Sequence, residues 1–194
     1  MYLRVISGLW KGTRLAAPVG DVARPTTDRV KESMFNLMGF HWTGGVAVDL
    51  FAGSGALGIE ALSRGADRAI LIDKSGKSIR AMLDNKQRLH NPDNLEVWRS
   101  DWRSAWERIV ASGTSVGWVF VDPPYALRLW DEVLFTIGAR AGFIEFGVVC
   151  EHPKDVELPT SAGSLAINKS KTYGDICISL YTVNRDDPQR ASHP

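Results

Sequence analysis

Residues 118–126 read WVFVDPPYA, and Asp122, Pro123, Pro124 and Tyr125 carry the first chemistry visible in the chain. Val119, Phe120 and Val121 form the apolar run of a strand buried on both faces. Pro123 and Pro124 have no backbone N–H and must end any central ladder, which leaves Asp122 where the sheet stops. A carboxylate at such an edge can accept hydrogen bonds from an exocyclic amine, and the Pro123 carbonyl can take a second N–H. The lone pair of a nucleobase amine is delocalised into its ring, so two acceptors on its hydrogens favour a pyramidal nitrogen able to attack. Tyr125 then offers a surface on which a base drawn from its helix can stack. The plainer alternative is a proline-stiffened strand exit with a solvated aspartate.

A second cluster lies upstream in VAVDLFAGSGALGIEAL, where Gly53, Gly55 and Gly58 satisfy G-x-G-x-x-G. Taken literally this is a dinucleotide fingerprint: the glycines admit a ligand to the backbone, and Ser54 can cap a helix whose positive end faces it. Asp49 contradicts that reading, because its charge would face a pyrophosphate at short range. It suits the ammonium of S-adenosylmethionine, a donor without phosphate. Asp73 ends the next strand, RAILID, at the usual distance for a carboxylate that binds ribose hydroxyls. Asp101 can accept from an adenine amino group or cap the following helix. Trp102 can cover the adenine ring or pack in the core. Phe51 and Lys74 complete the residues expected around the donor.

These side chains need a scaffold that gathers strand ends. Extended and helical stretches alternate from 46 onward: strands at 46–50, 68–72, 95–99, 117–122 and 143–150, with helices at 54–64, 75–89, 103–111 and 127–140. Such alternation predicts a parallel sheet covered by helices on both faces, and ligands gather beyond its carboxyl edge at the switch point. SLAINKSKTYGDICISLYTV leaves no room for a crossover helix, so it predicts an antiparallel hairpin turned at Tyr173-Gly174-Asp175. Upstream, 3–7 and 13–17 predict a small hairpin. Val30, Met34, Leu37 and Met38 form the stripe of a helix opened by Thr27 or Asp28 and closed by Gly39. The expected architecture is a doubly wound α/β sheet, mostly parallel and seven-stranded. Residues 1–40 are its extension, 41–185 its main domain and 186–194 a polar tail.

Composition narrows the classes. The chain has 194 residues, 44% of them hydrophobic and 23% charged, which fits one globular domain. Neither a signal peptide nor an 18-residue apolar run is evident, so a cytoplasmic location and no membrane partner are expected. Cys150 and Cys177 read as buried thiols. The four scattered histidines give no zinc spacing, and no metal is expected. The net charge of +1 hides a basic front end: up to position 31, Arg4, Lys11, Arg14, Arg24, Arg29 and Lys31 face only Asp21 and Asp28. That surplus suggests an anionic partner or an ordinary solvated surface.

DLFAGSGALGIEALSRGA followed by DPPY resembles the class I S-adenosylmethionine-dependent methyltransferases that act on exocyclic amines. RVISGLWKGTRL, RPTTDRVKESMFN and KTYGD narrow the resemblance to the RsmD family, bacterial guanine-N2 methyltransferases of small-subunit ribosomal RNA. It covers nearly the whole chain, and RPTTDRVKES is its most specific part. The resemblance implies donor contacts from Asp49, Gly53, Gly55, Asp73 and Asp101 and a target-base site at Asp122, Pro123, Pro124 and Tyr125. A frequent Glu at the end of the second strand is Asp73 here, which shortens its reach. The N-terminal hairpin and helix are implied to engage RNA, so Arg4, Lys11, Arg14, Arg24, Thr26, Arg29 and Lys31 become a phosphate-positioning surface. The expected partner is 16S rRNA within a small-subunit assembly particle, and the expected state a monomer. A DNA adenine-N6 methyltransferase could use the same DPPY chemistry, although no DNA-reading domain is visible. An NAD-binding oxidoreductase would leave Asp49 and DPPY without roles, and a non-catalytic RNA-binding module would keep only the fold.

Overall fold

The computed structural model describes residues 3–20, 28–39 and 44–185. Its centre is one sheet in the order β3-β2-β1-β4-β5-β8-β7-β6. The strands are β1 (Val46–Asp49), β2 (Arg68–Asp73), β3 (Leu95–Arg99), β4 (Val116–Val121), β5 (Ile144–Pro153), β6 (Ser161–Ala162), β7 (Leu165–Tyr173) and β8 (Ile176–Val183). β1 to β5 run parallel, and the last three strands join antiparallel. Among the described residues the sheet therefore has eight strands rather than seven. The extra one, β6, is two residues long and too short to leave a periodic signal. It sits in the stretch 155–164, held where the Tyr181 hydroxyl donates to the Pro159 carbonyl at 2.6 Å and Ala162 is buried.

Each face of the sheet carries its own core. Helices α1 (Asp28–Met38), α2 (Ala56–Ser63) and α3 (Gly76–Arg88) cover one face, with Met34, Phe35, Ile59 and Met82 packed on Ala47, Leu71, Phe120 and Val149. Helices α4 (Trp102–Ala111) and α5 (Trp130–Gly138) cover the other, with Trp106, Ile109, Trp130 and Ile137 on Val48, Ile70, Val119 and Val148. Residues 46–49, 69–72 and 116–121 are buried almost throughout, as a two-sided parallel sheet requires. The free thiols Cys150 and Cys177 lie buried on β5 and β8.

Three departures from the sequence reading go beyond a residue or two at an element's end. The helix expected at 127–140 begins only at Trp130; a 3-10 turn, Tyr125–Leu127, precedes it and Arg128 at φ +46 separates the two. β5 runs to Pro153, three residues further than expected, because β8 continues to pair with it through Ile176. The expected hairpin 3–7/13–17 has two backbone hydrogen bonds between its arms, a third from Gly12 N–H to the Val5 carbonyl, and a single bridge, Arg4 with Arg14. Its loop spends its other donors on α2 instead. Ile6 and Ser7 N–H donate to Glu60, Leu9 N–H donates to the Ser63 carbonyl, and Trp10 N–H donates to the Ser63 hydroxyl. Clamped between this arm and the sheet, all eight residues of α2 are buried.

Candidate active site at the switch between the first and fourth strands

β2 and β3 extend the sheet to one side of β1, β4 and β5 to the other, so the chain reverses its winding between β1 and β4. Ligands of doubly wound sheets lodge outside the strand ends at such a reversal. Asp49 is the last residue of β1, Asp122 follows the last residue of β4, and the glycine turn and Pro123-Pro124-Tyr125 leave from there.

The three glycines have different physical duties. Gly55 has φ +81, and a Cβ there would meet the Leu71 side chain at 2.6 Å; at Gly58 the same side chain would lie at 2.3 Å. Both let α2 press on β2. Gly53 has φ +55 and open space where a Cβ would stand, so it leaves its backbone accessible to a ligand. Ser54 does not cap α2. Gly55 occupies that position in the left-handed region without a side-chain cap, while the Ser54 carbonyl accepts from Asn85.

Asp49 takes the cap's electrostatic place. Its carboxyl accepts the backbone N–H groups of Phe51 and Gly58, in the first turn of α2, and it is 1% exposed. Its Oδ1 has no hydrogen-bond partner. Burial raises its pKa to about 7, the two backbone hydrogen bonds oppose the shift, and the charge of Asp73 adds to it. The positive end of α2 is thus already occupied by a protein carboxyl, which disfavours a diphosphate and suits a cationic group. An orphaned carboxyl oxygen and the open approach at Gly53 fit a donor carrying an ammonium. Asp73 accepts from Gly53 N–H at 3.0 Å and from Ser75 N–H at 2.8 Å, so both its oxygens also brace the turn. Exposed Lys74 follows it.

At the β3 exit, the structure shows capping and packing. Asp101 caps α4 by accepting from Arg103 N–H at 2.9 Å, the alternative the sequence had allowed. Trp102 is buried in the core, its ring centroid 6.3 Å from that of Phe51. Its position is the one the core-packing alternative described.

At the β4 exit, Pro123 is buried, while Pro124 and Tyr125 are exposed. The Asp122 carboxyl has its pKa raised well above the usual aspartate value, chiefly by burial, then by the nearby Glu151 and Asp49 charges. Glu151 was not singled out from the sequence. It is 3% exposed, and its Oε1 accepts from the Tyr125 hydroxyl at 3.3 Å. The signal was present in VVCEHP, an apolar strand running into an acid in the manner of VFVDPP.

Among the expected phosphate contacts, Arg29, Lys11 and Arg14 are exposed, and Arg4 pairs with Asp28 at 2.7 Å. Lys31 is a correction. It is fully buried, ion-paired to Glu60 at 3.1 Å and bonded to the Arg4 carbonyl, so no phosphate can reach it. A helical stripe analysis misses it because a lysine stem packs like an apolar side chain when its charge is paired. Arg24 and Thr26 lie outside the described residues. Among the described residues no cluster of His, Cys, Asp or Glu could hold a metal ion, and no helix is long and apolar enough to cross a membrane.

A family model described as conserved hypothetical protein 95 matches residues 3–182. The protein YlbH of Bacillus subtilis (strain 168) is 41% identical over 180 residues, 92% of this chain and 98% of its own length. Ribosomal RNA small subunit methyltransferase D of Escherichia coli (strain K12) is 33% identical over 180 residues, 92% of this chain and 89% of that protein. The solved structure of yhhF from Escherichia coli matches with a TM-score of 0.76 at 31% identity, covering 94% of this chain and 98% of that one. An RNA methyltransferase from Salinibacter ruber in complex with S-adenosyl-L-homocysteine shares the fold, with a TM-score of 0.60 at 18% identity over 86% and 97% of the two chains.

Proposed function

The chain belongs to the conserved hypothetical protein 95 family, the RsmD family, and we propose on that footing that it methylates the exocyclic N2 of a guanine in 16S ribosomal RNA. S-adenosyl-L-methionine is the methyl donor. Methyl transfer to ribosomal RNA is the activity in the name of its Escherichia coli relative. The observation that carries the reading is the juxtaposition at the switch point: a carboxylate and a proline carbonyl beyond β4, beside a glycine turn whose anion position a protein acid fills.

The donor supplies a methyl group on a sulfonium sulfur, already activated for displacement. Asp49 would hold its ammonium, Gly53 and Gly55 would let it lie against the turn, and Asp73 and Asp101 would accept from its nucleoside half. Asp122 and the Pro123 carbonyl would accept hydrogen bonds from the two N–H groups of the amine and turn its lone pair toward the methyl group; the N–C bond would form as the S–C bond breaks, and the methylated nitrogen would then lose one proton to solvent. Tyr125 carries the base. Bringing the reacting atoms into line at short range is the main contribution of such a site. The exposed arm residues and Arg29 position phosphates without reading sequence. We assign the substrate to a small-subunit assembly particle and the active form to a cytoplasmic monomer.

Tritiated donor offered with small subunits, free rRNA and DNA tests the class of acceptor. Label in rRNA, mapped by mass spectrometry to a guanine N2 that is unmethylated in cells lacking the protein, is the expected result. Label in DNA adenine or release of no S-adenosylhomocysteine would overturn it.

A further inference from the structure

Glu151 has no part in the reaction as described so far. Cys150 pairs with Val121 across β5 and β4, so Glu151, still inside β5, stands level with Asp122, where the chain leaves β4. The Glu151 side chain accepts from the Tyr125 hydroxyl at 3.3 Å. Its backbone carbonyl accepts from the indole N–H of Trp130 at 2.8 Å, and the Trp130 ring lies 5.8 Å from the Tyr125 ring, tilted by 52°. One residue thereby anchors the tip of Tyr125 directly and its flank through Trp130.

That anchorage matters because of where Tyr125 sits. Tyr125 is 40% exposed, and its backbone belongs to a single 3-10 turn that ends at Arg128 in the left-handed region. Turns this short have little cooperative rigidity, so the ring's direction depends on contacts made by its side chain. A stacking surface that swings carries the amine off the line of attack, and small misplacements of reacting atoms are costly in rate.

We propose that Glu151 is a positioning residue that locks the Tyr125 ring in place as the platform for the target base. The proposal rests on the target-base reading of Asp122-Pro123-Pro124-Tyr125. In this role Glu151 acts through the ring, separately from the charge it places beside Asp122. The Tyr125 hydroxyl, which stacking alone does not require, acquires a purpose as the handle by which the ring is held.

The test is a double-mutant cycle on the full chain, using small subunits that the parent protein methylates. Tyr125→Phe and Glu151→Ala should each lower kcat/KM about 10-fold while donor affinity, read by calorimetry, stays at the parental value. The double variant should be no worse than the weaker single one, because both changes remove the same contact. Glu151→Gln keeps an acceptor and should recover most of the loss. Multiplying losses, or a fully active Tyr125→Phe, would overturn the assignment to Glu151 while leaving the methyltransferase reading intact. A parent protein that labels no RNA would remove that reading, and this inference with it. A readout without RNA guards against misfolding: with ring-13C tyrosine, the Tyr125 signals should shift in Glu151→Gln under conditions where its melting temperature matches the parent. Unchanged Tyr125 signals would count against the anchor.

Discussion

The side-chain amide of Asn85 donates to the Ser54 carbonyl at 2.8 Å, joining α3 to the glycine turn. The same buried side chain donates to the Ala16 carbonyl at 2.9 Å and accepts from Ala16 N–H at 2.6 Å. The N-terminal arm and the glycine turn are therefore fastened to one residue.

Replacing Asn85 with Ala should cost about 3 kcal/mol, since buried backbone groups lose their partners at both ends of the link. Urea unfolding would measure the loss. Donor affinity should also fall, because the Ser54 carbonyl is no longer held, whereas a change confined to the arm would leave it unaltered.

Asp49→Asn should separate stability from donor binding. Burial holds the folded-state pKa of Asp49 at about 7, above the 3.8 ordinary for an aspartate, so the folded protein binds this proton more tightly than the unfolded chain does. The group's contribution is full below the lower value and is lost as pH rises through the higher one. Asparagine copies the neutral form. The variant's advantage in melting temperature should therefore grow from about pH 4 to about pH 7 and then level off. Its affinity for S-adenosylmethionine should fall at pH 8, where the parent carries the charge.

Asp122→Ala should bind donor normally and lose turnover by about 10²-fold or more. Because burial and the Glu151 and Asp49 charges raise the Asp122 pKa, activity in the parent should fall on acidification at a higher pH than an ordinary aspartate would give. Protonated Asp122 has one fewer acceptor position for the amine. A rate that is flat with pH across the range where carboxyls titrate would speak against this role.

Arg29 and Lys31 stand two positions apart on α1 and should fail differently. Exposed Arg29, changed to Ala, should weaken RNA binding, reduce its salt dependence and leave donor binding intact. Lys31→Met removes one of the two cations paired with Glu60, which keeps Arg64 at 2.8 Å, and should cost less than the ~3–5 kcal/mol of a buried charge left with no partner. Filter binding at several salt concentrations and denaturant titration read the two effects.

Much of the scaffold is legible because parallel strands buried on both faces write continuous apolar runs, as in VGWVFV and RAILID. Helix α1 and the turn at Gly174 follow from a stripe and a dipeptide, which are local signals. Asp49, Asp73 and Asp122 stand out in the sequence because each closes such a run, and the structure places each at or just past a strand end. What escaped depends on tertiary partners. Lys31 and Glu60 are charged residues that only mutual burial makes interior, Asn85 joins segments 69 and 31 residues away, and Glu151 gains meaning from Tyr125 across the pocket. Trp102 and Ser54 show the reverse. A residue type suited to a ligand or a cap was taken up by packing and by a left-handed glycine.

Cys150 and Cys177 give the molecule a clock for its own opening. Burial drives the Cys150 thiol strongly upward in pKa, so the reactive thiolate is scarce while the sheet is closed. An aromatic disulfide reagent should consume them only when β5 and β8 part, and its colour would then time the breathing of the strand that carries Glu151.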